Sequence, residues 1–203
     1  MDRQVRIVCL ASGSGTNFQA LLDADLTPGQ IIGLVSDNPN AKALKRAQDA
    51  NVPTRVVPMG EFATRDAWNE GLIETVEELN PDLVVLAGFM RILAPAFVSR
   101  FITINIHPAL LPSFPGAHGA RDALAYGVKM TGCTVHLVDA GVDTGPIIEQ
   151  AAVPVLSDDT PSTLQARIQQ EEHRLYPTVI KDWCNGAYAI TTDSGRSRVI
   201  RLI

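Results

Sequence analysis

Several features that mark other classes of protein are scarce or missing in this sequence. Only three of the 203 residues are cysteines, and they are widely spaced without a C-x-x-C pair, which argues against a disulfide framework and fits a reducing cytoplasm. The formal net charge is −5, which argues against nucleic acid as a partner. The most apolar run, residues 83–90, is too short to cross a membrane, and the N-terminus lacks a signal-peptide pattern. We therefore expect a cytoplasmic protein whose partners are small-molecule substrates, with no nucleic acid and no membrane; whether it forms a homodimer is left open.

What the sequence does contain is an alternation of apolar runs and amphipathic stretches. Helix-like segments separate the strand-like runs, which lie at 5–11, 31–36, 54–57, 83–88 and 102–107. This order predicts an α/β, Rossmann-like fold, in which a mostly parallel sheet has helices on both faces. Two further runs, 131–138 and 146–155, flank a glycine-containing turn and predict an antiparallel addition in the C-terminal half. We expect one domain over residues 1–186 and a C-terminal tail of unknown role over 187–203.

The most informative segment is Ile-Thr-Ile-Asn-Ile-His-Pro at 102–108. Because successive side chains of a strand point to opposite faces, Asn105 and His107 should share one face, with isoleucines on the other. Pro108 has no N–H for a sheet ladder and should end the strand. An amide and an imidazole at the end of one strand indicate a functional site. The alternative is a half-buried edge strand whose polar face meets water.

A glycine-rich segment, Ser-Gly-Ser-Gly-Thr-Asn at 12–17, lies between the first predicted strand and the first helix. Small residues let the backbone approach a ligand, and a helix N-terminus offers free N–H groups to an anion, so a phosphate or carboxylate site is one interpretation. A tight turn without a ligand is the other. The dinucleotide fingerprint fits only in part, since Gly13 and Gly15 match but Phe18 occupies the third glycine position. Asp37 follows the second strand, where a ribose-binding acid would lie.

Two acidic residues stand out from their surroundings. Asp143 lies in a glycine-framed turn beside an element that could pair with strand 102–107, where it would favour the charged form of His107; the alternative is an ordinary turn residue. Glu172 falls on the apolar stripe of a helix that should begin after Thr160, so it either binds a ligand amine or hydroxyl or lies at a solvated stripe edge. His136, inside a strand, is interpreted as structural, and no histidine shows metal-binding spacing.

Taken together, these segments resemble the glycinamide ribonucleotide formyltransferase family, folate-dependent enzymes of purine biosynthesis, and the resemblance covers residues 5 to about 186 in the same order. The matching stretches are Ser-Gly-Ser-Gly-Thr-Asn at 12–17, Ala-Gly-Phe-Met-Arg-Ile-Leu at 87–93, Asn-Ile-His-Pro-Ala-Leu-Leu-Pro at 105–112, Gly-Cys-Thr-Val-His at 132–136, Asp-Thr-Gly-Pro-Ile at 143–147 and Glu-His-Arg-Leu-Tyr-Pro at 172–177.

The resemblance implies a role for each matched position. The catalytic residues would be Asn105, His107 and Asp143. The ribonucleotide would contact Gly15, Thr16, Asn17 and Glu172. The folate would contact Arg65, Met90, Arg91, Ile92, Leu93, Asn105, Ala140, Gly141, Val142 and Asp143. The co-substrate would be 10-formyltetrahydrofolate, no metal would be required, and Asn105 and His107 would stabilise the tetrahedral intermediate formed when the ribonucleotide amine attacks the formyl group.

Two other functions remain open at the level of the sequence. A related enzyme of the same superfamily would hydrolyse the formyl group to formate, as a deformylase does. A nucleotide- or dinucleotide-binding protein on the same fold would use Gly13, Gly15 and Asp37 and leave Asn105 and His107 without a role.

Overall fold

The computed structural model describes residues 3–193 and 195–202. The strands of the main sheet are β1 Val5–Leu10, β2 Gly29–Ser36, β3 Thr54–Val56, β4 Leu83–Leu86, β5 Thr103–His107, β6 Met130–Leu137 and β7 Ile147–Pro154. The helices are α1 Thr16–Asp23, α2 Lys42–Asp49, α3 Arg65–Glu78, α4 Pro95–Arg100, α5 Gly119–Tyr126 and α6 Pro161–Cys184. A final pair of strands comprises β8 Tyr188–Asp193 and β9 Arg196–Arg201.

The main sheet has seven strands in the order β3-β2-β1-β4-β5-β6-β7. The strands from β3 to β5 in that order are all parallel, whereas β6 runs antiparallel to β5 and β7 antiparallel to β6. This is the predicted Rossmann-like sheet with its antiparallel addition, and the fold prediction is confirmed.

Each strand divides its side chains between two apolar layers. In β1, Ile7 and Cys9 belong to the cluster that includes Phe18 of α1. Val8 belongs to the other cluster, which includes Trp68 of α3. The period-2 alternation of a strand thus serves both faces, which is why the central strands read as continuous apolar runs in the sequence. The helices lie on both faces, as predicted.

The longest helix, α6, begins where the sequence indicates. The hydroxyl of Thr160 accepts a hydrogen bond from the backbone N–H of Thr163, and the Thr163 hydroxyl accepts one from the backbone N–H of Thr160, which forms a capping box. Pro161 occupies the first helical position, where no N–H is needed. Within the described residues, no helix has the length and apolarity needed to span a membrane.

The tail that the sequence patterns did not place forms the antiparallel hairpin β8–β9. Arg201 ties it to the main body, because its guanidinium donates to Glu149 of β7 at 3.3 Å and to Asp182 of α6. The hairpin therefore packs near the outer edge of the sheet.

Candidate active site

The strand that carries Asn105 and His107 lies inside the sheet. β5 is hydrogen-bonded to β4 on one side and to β6 on the other, so the edge-strand interpretation is wrong. Across β5 and β6, Asn105 is paired with His136, and His107 with Thr134. Paired residues of antiparallel strands point to the same face, so the four side chains line one strip. His107 is buried and Asn105 half-buried.

Asp143 reaches this strip from the loop between β6 and β7. Its Oδ2 lies 3.4 Å from Nδ1 of His107 and accepts a hydrogen bond of 2.7 Å from the backbone N–H of Gly116. Asp143 has a φ of 55°, in the left-handed region that Asp tolerates better than most residues. The sequence hypothesis that Asp143 lies beside His107 is therefore consistent with the geometry, and Asp143 has partners beyond its own turn.

His107 has an acceptor at each ring nitrogen. Nε2 lies 2.8 Å from the carbonyl oxygen of Phe114, and because a carbonyl only accepts, Nε2 must carry a hydrogen. Nδ1 faces the Asp143 carboxylate. Each ring nitrogen of His107 therefore faces an oxygen atom that can accept a hydrogen bond.

His136 is a residue whose position in the strip sequence reasoning missed. It is buried, and its Nε2 lies 3.2 Å from Nδ2 of Asn105 and 3.7 Å from Oδ1 of Asp143. Its Nδ1 lies 2.8 Å from the carbonyl oxygen of Leu137. Only the register of β6 against β5 shows that His136 lies beside Asn105, and a single sequence does not reveal that register.

The glycine-rich segment precedes α1 with the geometry needed for close approach. Gly15 is the N-cap of α1 with φ 68°, and a Cβ built on it would lie 2.7 Å from the Cβ of Ala43. No L-residue with a side chain fits there without displacing α2. Thr16 and Asn17 then open the helix, where backbone N–H groups are free for an anion.

Glu172 is buried against this helix start, so the solvated-edge interpretation is wrong. Its Oε2 accepts a hydrogen bond of 3.1 Å from Nδ2 of Asn17. Burial raises the pKa of Glu172 to about 7, and the hydrogen bond from Asn17 only partly opposes this rise. The Oδ1 atom of Asn17 is buried and has no partner among the described residues. An amide oxygen without a partner among the described residues and a buried carboxyl thus lie together at the start of α1.

A neighbouring cavity of about 490 Å³ adds basic groups that the sequence did not single out. Thr16 lines it together with Arg46, His173 and Arg174. The pKa of His173 is lowered by burial and by the nearby charge of Arg46, and its Nε2 is buried without a partner among the described residues. The cavity extends along α1 from Thr16 to Ala24 and is also lined by the acidic Asp23. At its Thr16 end, Arg46 and Arg174 carry the positive charge that an anion would need, which adds to the support from the glycine pattern.

A separate cleft of about 430 Å³ opens over Asn105, His107 and Asp143. Its other lining residues include Met90, Arg91, Ile92, Leu93, Gly141, Val142 and His136. Arg65 and Ala140 do not line this cleft. Arg65 instead donates a hydrogen bond to the carbonyl oxygen of Ile92 and stacks over Trp68, 4.6 Å from the ring centroid. Arg65 therefore links α3 to the loop that contains Ile92.

The loop at 88–93 is tied to both neighbouring strand ends. Nε of Arg91 donates to Oδ2 of the buried Asp37 at 2.6 Å. The backbone N–H of Met90 donates to the hydroxyl of Ser12 at 2.8 Å, and the N–H of Ser12 donates to the carbonyl of Gly88 at 3.0 Å. The glycine-rich segment and the cleft are therefore adjacent and share hydrogen bonds. Within the described part of the chain, no group of three or more His, Cys, Asp or Glu side chains could hold a metal ion.

Known proteins resemble this chain along nearly its whole length. Residues 5–180 match the family described as formyl transferase. A phosphoribosylglycinamide formyltransferase from Mycobacterium tuberculosis is 51% identical over 174 residues, covering 84% of this chain and 80% of that protein. The protein of the same name from Escherichia coli is 43% identical over 187 residues, covering 90% and 88%. The crystal structure of glycinamide ribonucleotide transformylase 1 from Symbiobacterium toebii superposes with a TM-score of 0.93 at 43% identity, covering 100% of this chain and 96% of that one.

Proposed function

The chain belongs to the formyl transferase family, and we propose that it transfers the formyl group of 10-formyltetrahydrofolate to the amine of 5′-phosphoribosylglycinamide in purine biosynthesis. The named relatives support the reaction class and the acceptor. The observation that carries the proposal within this chain is the joint position of Asn105, His107 and Asp143 at one cleft.

The roles of these three residues follow from the charge that the reaction creates. When the amine attacks the formyl carbon, the formyl oxygen becomes an oxyanion. Asn105 donates a side-chain N–H to it, and His107 donates a second N–H after exchanging the Phe114 carbonyl for this oxygen. A donor that is already in place when the charge develops is worth about 3 kcal/mol, and this value applies to Asn105. His107 contributes less, because it must first give up its hydrogen bond to Phe114. Asp143 holds the charged imidazole and assists proton transfer from the attacking amine to the folate nitrogen.

The dimensions of the cleft suit the folate. A volume of about 430 Å³, with an apolar loop on one side and a few polar groups at one end, is typical of small-molecule sites. Met90 and Ile92 are exposed, so they offer apolar surface that a flat ring can cover. We propose that this loop and residues 141–143 hold the folate, with Arg65 and Arg91 positioning the loop.

The ribonucleotide is assigned to the glycine-rich segment. Gly15, Thr16 and Asn17 would bind its phosphate and ribose through backbone N–H groups and the free Asn17 oxygen. Glu172 would accept hydrogen bonds from the sugar or glycinamide end. Support comes from Arg46 and Arg174 in the cavity that Thr16 lines, and from the hydrogen bonds of Ser12, which join this region to the loop beside the cleft.

The dinucleotide alternative is weakened by one contact. The acid that would bind a ribose, Asp37, already accepts from Arg91. That alternative also gives no role to Asn105, His107 and Asp143, which lie together at the cleft.

The proposal is tested by incubating the protein with 10-formyltetrahydrofolate, with and without the ribonucleotide, and following tetrahydrofolate release and formate. Release that requires the ribonucleotide, with no formate, is expected. Formate production without the ribonucleotide would identify a deformylase instead. Absence of folate turnover, together with stabilisation by NAD(H) in thermal melts, would support the dinucleotide alternative.

A further inference from the structure

We propose that His136 is a positioning residue whose Nε2 holds the side-chain amide of Asn105 in the orientation that offers an N–H to the reacting formyl oxygen. The inference rests on the proposed function, since it assigns Asn105 that role. His136 itself donates nothing to the substrates in this scheme.

The hydrogen bonds determine which nitrogen of His136 carries the proton. Its Nδ1 lies 2.8 Å from the carbonyl oxygen of Leu137, and a carbonyl only accepts, so Nδ1 is protonated. In a neutral ring, Nε2 is then an acceptor. Its partner at 3.2 Å is Nδ2 of Asn105, which is a donor. The donor and acceptor roles are thus consistent in both hydrogen bonds, from Asn105 to His136 and from His136 to Leu137.

The surroundings favour the neutral imidazole. His136 is buried, and burial lowers its pKa more than the Leu137 carbonyl and Asp143 raise it. The nearest carboxylate oxygen, Oδ1 of Asp143, lies 3.7 Å from Nε2, which is too far for a hydrogen bond. The two histidines of the strip therefore differ: His107 has acceptors at both nitrogens, and His136 has an acceptor at one and a donor at the other.

Orientation matters because an amide has two unlike ends. If the Asn105 side chain turned by half a rotation, its oxygen would take the place of its NH2 group and would repel a developing oxyanion. With one N–H bonded to His136, the second N–H of Asn105 stays available at the cleft that Asn105 lines. A donor held in advance stabilises the transition state without reorganisation during the reaction.

The decisive experiment compares two substitutions at this position. His136→Gln places a side-chain oxygen near the position of Nε2 and can still accept from Asn105, whereas His136→Leu fills the space without an acceptor. We expect kcat to fall by about tenfold or more in His136→Leu, with KM for both substrates changed by less than about twofold, and to recover substantially in His136→Gln. The matched control is Thr131→Val, another buried polar position of β6 away from the strip, which should leave kcat unchanged.

A double-variant cycle separates positioning from general stability. In an Asn105→Ala background, His136→Leu should cost no further activity, because the group it positions is gone. An equal loss in both backgrounds, a parental kcat in His136→Leu, or equal kcat values in the folded Gln and Leu variants would each overturn the proposal.

A direct measurement on the parent protein tests the proposal even if the variants do not fold or the parent shows no formyl transfer. Nitrogen-15 chemical shifts of His136 in the parent protein should give the Nδ1-protonated neutral tautomer. The Nε2-protonated tautomer would overturn the inference whatever the activity. An inactive parent would instead refute the proposed function, and with it the role of Asn105 on which the inference depends.

Discussion

Replacing Glu172 by glutamine should make the protein more stable at alkaline pH while weakening ribonucleotide binding. The physical reason is the cost of ionising a buried carboxyl. Glutamine keeps the shape and can still accept the hydrogen bond from Asn17 that Glu172 accepts at 3.1 Å. Because a glutamine side chain does not ionise, the substitution removes only the dependence of stability on pH that the carboxyl causes.

The magnitude follows from the pKa of Glu172, which burial raises to about 7 from an ordinary value of 4.5. Between these values the folded protein binds the proton and the unfolded chain releases it, so the free energy of unfolding falls as the pH rises. Each pKa unit corresponds to about 1.36 kcal/mol, so the parent loses about 3 kcal/mol relative to the variant between pH 4.5 and pH 8. Below pH 4.5 the carboxyl is neutral in both states and the difference should vanish.

Urea unfolding of the parent and the Glu172→Gln variant at pH 5, 6, 7 and 8 measures this difference. The stability advantage of the variant should be small at pH 5 and grow toward pH 8. Glu171→Gln is the matched control, because the neighbouring Glu171 is partly exposed and paired with Arg174 at the surface, where ion pairs contribute little. If the difference between parent and Glu172→Gln does not change with pH, the carboxyl is not buried in an ionisable state and the reasoning is wrong. Calorimetric titration with the ribonucleotide should show weaker binding by the variant.

Three further substitutions test the other assignments. Gly15→Val should abolish ribonucleotide binding and lower the melting temperature, because its Cβ would lie 2.7 Å from a Cβ of α2; Gly13→Ala, where a Cβ meets nothing within 4 Å, should leave the melting temperature nearly unchanged. Asp143→Asn should lower kcat by about 10²-fold with the fold retained, as circular dichroism would verify; a parental rate would return Asp143 to the role of a turn residue. Asp37→Asn should weaken the contact with Arg91 at 2.6 Å and raise KM for the folate but not for the ribonucleotide, and an equal rise in both would contradict the assignment of that loop.

Local patterns in the sequence were sufficient where the physics is local. The start of a helix after Thr160 and the alternation of strand 102–107 depend on residues that are neighbours in the chain, and both are present in the structure. Gly15 was recognisable as part of a segment of small residues between a strand and a helix, but its positive φ and the helix that crowds it are visible only in the structure. The position of the tail could not be predicted, because its hairpin is held to β7 and α6 by Arg201, whose partners are distant in the chain.

The environment of each candidate residue was decided by tertiary structure. The sequence placed Glu172 on an apolar stripe but did not determine whether water reaches it; packing of α6 against α1 buries the carboxyl and raises its pKa. Similarly, His136 looked like a structural residue of a strand until the register of β6 against β5 brought its ring to Asn105. The sequence alone determines the helices and strands, because propensity and periodicity act over a few residues. Which nitrogen faces which amide depends on strand pairing between residues 31 positions apart, which only the folded chain specifies.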